Sequence, residues 1–150
     1  MAVWTHIEHD EIVGGLPASS VAWSGISQSY DHLLLKMAAR SDDTTGSTST
    51  LSDAELQMGN GSIDTGNNYS DTFLLNYGVG STYVLSGRSH GVDSIQRIWI
   101  PSNSTTANTF SVSSVWIPNY TGAGQKQAIV SSSGENASNT LYFFGNILVA

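Results

Sequence analysis

Cysteine is absent from the 150 residues of this chain. That excludes a disulfide framework and thiolate metal sites, and leaves stability to packing and assembly. Basic side chains are nearly as scarce: Lys36, Arg40, Arg88, Arg97 and Lys126 stand against 12 acidic residues, giving a net charge of −7. A protein that grips phosphate backbones needs a basic stripe, so nucleic acid is not an expected partner. No apolar run approaches the ~20 residues that cross a bilayer, and membrane insertion is not expected either. The opening residues MAVWTHIEHDE lack the basic start and long apolar stretch of a secretory leader, so the chain is expected to fold in the cytoplasm where it is made.

What the chain has in quantity is Ser, Thr, Asn and Gly, about two-fifths of all residues, a mixture poor in helix formers and rich in turn formers. Apolar residues still reach 39% and fall in runs, so the composition is that of a folded chain. Length and composition together predict a single domain over 1–150, an all-β antiparallel sandwich, jelly-roll-like, of about eight to ten short strands. Candidate strands are Val3–Ile12, Val21–Ile26, His32–Ser41, Glu55–Asn60, Thr72–Tyr77, Tyr83–Ser86, Ser94–Ile100, Thr109–Ile117, Gln127–Ser132 and Thr140–Val149.

Alternation supports two of these directly. In His32–Arg40, Leu33, Leu35, Met37 and Ala39 share one face while Lys36 and Arg40 take the other. In Thr109–Ile117, Phe110, Val112, Ser114 and Trp116 share a face. A competing pattern exists at His32, where Leu, Lys, Met and Ala favour a helix that Asp31 could cap; the period-two spacing of the charges favours a strand. The run Thr140–Ala150 is apolar on both faces, with Leu141, Phe143, Ile147 and Val149 alternating against Tyr142, Phe144 and Leu148. Such a strand needs cover on both sides, from its own domain or from another subunit.

Several fragments, in order, carry a family resemblance. Val21-Ala-Trp-Ser-Gly-Ile26, Tyr30-Asp-His-Leu-Leu-Leu35 and Ala38-Ala-Arg40 are followed by Glu55-Leu-Gln-Met-Gly-Asn60 and Asp64-Thr-Gly-Asn-Asn-Tyr69. Ile117-Pro-Asn-Tyr-Thr-Gly122, Lys126 and Glu135-Asn136-Ala137 close the set. Together they resemble small virion proteins of tailed bacteriophages. The resemblance implies a non-enzymatic β-sandwich on the virion surface, made in the bacterial host's cytoplasm and placed as a head decoration, tail fibre or tail appendage. It also implies a homo-oligomer, commonly threefold in such appendages, with capsid or tail proteins as partners and contact with the host surface. Family members often continue for a strand or two beyond the position matching Ala150. A chain that starts directly on its first strand suits a decoration or small appendage better than a long fibre.

Candidate sites are few. His6, Glu8, His9, Asp10 and Glu11 gather imidazoles and carboxylates, but strand geometry would send them to opposite faces, so no metal is expected there. The loop Asp64–Asp71 has oxygen ligands that would suit calcium, and equally the Asp, Asn and Gly that a tight turn requires. Ser89, His90 and Asp93 have the residue types of a catalytic triad without a nucleophile elbow, and no catalytic residue or cofactor is assigned. Tyr30, Trp99, Trp116 and Tyr120 lie near strand ends beside polar loops, and Tyr142 and Phe144 lie in the last run. These six are the candidate interface or glycan contacts. A carbohydrate-binding module is the alternative function.

Overall fold

A computed structural model describes residues 4–12, 18–43, 51–78, 82–103, 105–135 and 141–149. All its strands pair antiparallel, and no helix occurs among the described residues. In chain order the strands are β1 (His32–Ala39), β2 (Leu51–Leu56), β3 (Tyr69–Gly78), β4 (Thr82–Val92), β5 (Ile95–Pro101), β6 (Ser111–Pro118), β7 (Gln127–Glu135) and β8 (Leu141–Val149). They form a six-stranded sheet, β1-β6-β7-β8-β3-β4, and a two-stranded ribbon, β2-β5. The all-β, sandwich-like architecture expected from composition is the one observed, with unequal layers.

The helical alternative at His32 loses to pairing: Leu33 to Ala39 register residue by residue against Ile117 to Ser111 of β6. Two expected strands are corrected. The described parts of Val3–Ile12, and all of Val21–Ile26, join no sheet and are almost wholly exposed. Their apolar alternation finds no neighbouring strand edge, and a strand exists only where a ladder can form. The strand expected at Glu55–Asn60 also moves, to Leu51–Leu56, because the chain turns after Gln57 and closes a small bridge between Gly59 and Ile63.

β5 lies over one face of the large sheet, against β6, β7, β8 and β3. Between the layers Ile95 and Ile98 of β5 meet Val115, Ile117, Ala128 and Val130, with Tyr69 at the end of the cluster. The layer is thin enough to need serines. Ser111, Ser113 and Ser132 are all buried. The hydroxyls of Ser113 and Ser132 bond each other at 2.8 Å, and Ser132 Oγ donates to the Trp99 carbonyl of β5 at 2.9 Å. A small hydroxyl here lets the β5 backbone approach while satisfying a buried carbonyl, which a valine could not do. At the far edge Phe73 of β3 lies across Gly87 of β4, where a Cβ would stand 2.5 Å from the ring, so only glycine fits.

Candidate functional site

Strand register sorts the large sheet into two faces. Leu33, Leu35, Val115, Ile117, Val130 and Leu75 belong to the face under β5. The opposite face carries the row Leu34, Trp116, Ile129, Thr72, Arg88 and, two residues along, the row Lys36, Ser114, Ser131, Leu74, Ser86. A third row holds Ala38, Val112, Ser133, Asn76 and Val84. No described strand covers this side. Its large apolar members are exposed accordingly, from 37% at Leu34 to 67% at Val112. Leu34, Leu74, Val84 and Ile129 are exposed with them; Leu34, Trp116 and Ile129 adjoin as one apolar cluster, and Leu74 and Val84 lie toward the β4 edge with serines, Lys36 and Asn76 interleaved. Among its small residues a shallow recess of about 480 Å³ runs over Lys36, Ala38, Val112, Ser114, Ser131 and Ser133.

Of the six residues singled out from the sequence, Trp116 is the one among those with described side chains that is exposed on this face. His32 packs edge-on against its ring, at 6.0 Å and 65° between planes, and His32 Nδ1 accepts the Asn119 backbone N–H at 3.1 Å. The imidazole therefore fixes the lean of the indole. Trp99 lies on β5, half-buried, and Tyr30 is half-buried just ahead of β1. Tyr120 packs on the core; its hydroxyl donates to the Ser27 carbonyl and its backbone N–H to the Asp31 carbonyl, tying the segment ahead of β1 to the β6–β7 turn. Tyr120 thus has a structural task, with its ring half-buried. Tyr142 and Phe144 are placed by backbone alone, opposite Tyr77 and Leu75 on β3, and their side chains lie outside the described residues. β8 is an interior strand of the sheet, so its two-sided apolar pattern falls where both faces matter.

The other candidate clusters separate. Ser89 and His90 are successive residues of β4 and point to opposite faces. His6 and His9 stand 6.3 Å apart by ring centroids, and no group of three metal-ligating side chains forms among the described residues. In the Asp64–Asp71 loop, Asp64 Oδ1 accepts the Gly66 backbone N–H at 2.8 Å, and Asn68 Nδ2 donates to both carboxylate oxygens, at 3.1 and 2.9 Å. A cation would have to displace these N–H donors, so the arrangement is that of a turn. Asp71 belongs to β3 and is buried, its Oδ1 accepting the Ser89 N–H at 3.0 Å.

The Asn68 amide, and after it the Gly66 N–H, hold the Asp64 carboxyl below its ordinary value of 3.8. The sign follows from linkage. A carboxyl whose folded value is depressed stabilises the fold above its unfolded value, and that contribution disappears as pH falls through the folded value. Asn68→Ala is expected to return the Asp64 titration toward 3.8, read from its carboxyl carbon by NMR. An unchanged midpoint would show that the amide does not hold the carboxylate.

Sequence reasoning missed Arg40, taken as a polar-face residue of the first strand. It follows β1, and its guanidinium is enclosed by the loop at 103–109. It also missed Tyr69, the largest fully buried side chain among the described residues. Comparison with protein-family models, with curated proteins and with solved structures returned no match.

Proposed function

We propose that this protein is a non-enzymatic structural subunit of a tailed-phage virion surface, a head decoration or tail appendage that assembles with copies of itself. The single observation that supports this is the uncovered apolar face of the six-stranded sheet, centred on Leu34, Trp116 and Ile129. A face of this kind lowers its free energy by burial against another surface, at roughly 25 cal/mol per Å² of apolar area. The Ser-, Thr- and Asn-rich loops then face solvent or the host.

Self-association is tested by sedimentation over a concentration series. The wild type is expected above the mass of one chain, and Trp116→Asp is expected to weaken assembly by about tenfold or more, since a buried unpaired carboxylate costs several kcal/mol. A single-chain mass at every concentration would sink the assembly reading. Labelling on purified phage particles by electron microscopy tests the location.

One observation favours a second reading. Trp116 presents an indole, steadied by His32, beside polar residues, and such a ring can stack on a sugar. A carbohydrate-binding module would show specific binding on a glycan array that Trp116→Ala abolishes while the oligomeric mass stays unchanged.

A further inference from the structure

The segment ahead of β1 is as unpartnered as the open face. Among the described residues, positions 4–12 and 18–26 make no hydrogen bond to either sheet, and Trp4, Ile7, Ile12, Val21 and Trp23 are all exposed. Its charge is one-sided: Glu8, Asp10 and Glu11 occur with no Lys or Arg before Lys36. The open face is charged the other way. Lys36 on β1 and Arg88 on β4 sit exposed at the two outer strands of the sheet, with the apolar rows between them. Neither makes a hydrogen bond or ion pair among the described residues, while Arg40 and Lys126 are both engaged by carbonyls. A basic-edged apolar face and an acidic, aromatic segment are complementary in both respects.

From these observations we infer that the segment ahead of β1 docks on the open face of a second copy, an exchange that rests on the self-assembly reading above. In the structure the described stretches lie off their own sheet, exposed and without a hydrogen bond to it, and the chain is long enough to reach a neighbouring face. Six strands span about 24 Å. Residues 18–26 alone extend to about 30 Å, enough to cross that sheet, and they precede a root held on Tyr120 through Ser27 and Asp31. The acidic stretch at 8–11 is farther out still along the chain. In a neighbour's face the recess over Ala38, Ser114 and Ser131 receives apolar side chains of the segment, and Lys36 and Arg88 receive the carboxylates.

Two full-length variants test this. One reverses the segment (Glu8→Lys, Asp10→Lys, Glu11→Lys); the other reverses the face (Lys36→Glu, Arg88→Glu). All five positions are exposed, and circular dichroism confirms that the folds survive. Each variant alone sets like charge against like, and is expected to associate about tenfold more weakly than wild type at low salt. Mixed in equal amounts, the two are complementary in both directions, and assembly is expected to return to the wild-type level. Wild-type assembly with both variants unaffected, or with no recovery on mixing, overturns the exchange while leaving self-assembly intact. Recovery only when both sets of changes are placed in one chain, without a rise in mass, would show the segment on its own face and also overturns it. A wild type of single-chain mass throughout defeats the exchange and the assembly reading together. Should either charge variant fail to fold, Trp23→Ser replaces it, with the same tenfold weakening expected and an unchanged association constant counting against the exchange.

Discussion

Arg40→Ala is expected to lower the unfolding free energy by about 3 kcal/mol, read from the shift in denaturation midpoint at constant slope. Among the described residues the guanidinium faces six acceptors and no carboxylate. Nη1 points at Thr105 Oγ1 (3.0 Å), the Thr106 carbonyl (2.6 Å), and the Thr109 carbonyl and hydroxyl (3.2 and 3.0 Å). Nη2 points at the carbonyls of Asn103 (3.2 Å) and Thr105 (3.1 Å). Two hydrogens on Nη1 serve four acceptors, so some bonds are shared, but four of the loop's carbonyls turn inward on one cation. The same stretch is stitched to the chain after β1 by Ser41 N–H to the Pro101 carbonyl at 2.8 Å and by Asn103 N–H to the Asp43 carbonyl at 3.2 Å. That loop carries the chain from the ribbon back to the large sheet, so Arg40 ties β1 to the crossover between β5 and β6. Removing it leaves inward carbonyls without a donor. Arg40→Lys keeps the charge but offers a point donor in place of a planar fork, and is expected to recover about half of the loss. Faster amide exchange confined to 105–109 would accompany the alanine change. A midpoint within about 0.5 kcal/mol of wild type would show that the loop holds itself.

How much of this was legible in the sequence depends on how local the cause is. Alternation in β1 and β6 was readable because side-chain direction in a strand follows position alone. Which face is covered was not, because that depends on where β5 lies. In β6 Val112 and Trp116 face outward, while Ser111 and Ser113 lie inside with Val115 and Ile117. Two large apolar residues fall on each face, so an apolar-in reading alone does not choose between them. The serines are inside because a neighbouring backbone, distant in sequence, comes close enough to need their hydroxyls. The same limit hid Arg40, whose partners lie more than sixty residues downstream. The residues ahead of β1 read as strands for the opposite reason: their pattern is local and real, but pairing is not. Among the site residues, Trp116 could be found as an aromatic at a strand end, whereas its orientation by His32 follows from the β1–β6 register.

Tyr69→Phe is expected to cost about 2 kcal/mol although it removes a single oxygen and leaves the ring in place. The phenol stands among three backbone groups. It accepts the Met58 N–H at 3.0 Å, and its one hydrogen is directed at the carbonyls of Asp64, at 2.9 Å, and Met58, at 3.0 Å. The ring is 2% exposed and belongs to the inter-layer cluster, so the hydroxyl pins the loop after β2 onto the core. Phenylalanine would keep the apolar contact and leave the Met58 N–H and the Asp64 carbonyl short of a partner. Burial, with the Asp64 charge adding to it, raises the Tyr69 hydroxyl above its ordinary value of 10.0, against the pull of the Met58 backbone. A group whose folded value is raised contributes stability fully below its unfolded value, and loses it as pH climbs through the folded one. The gap between wild type and Tyr69→Phe is therefore expected to stay constant through neutral pH and to close above about pH 10, where the unfolded phenol ionises before the folded one. Paired denaturation curves at pH 7 and at pH 10.5 or above measure it. A gap that is absent at neutral pH, or that widens in alkali, would mean that the hydroxyl contributes nothing to holding the loop.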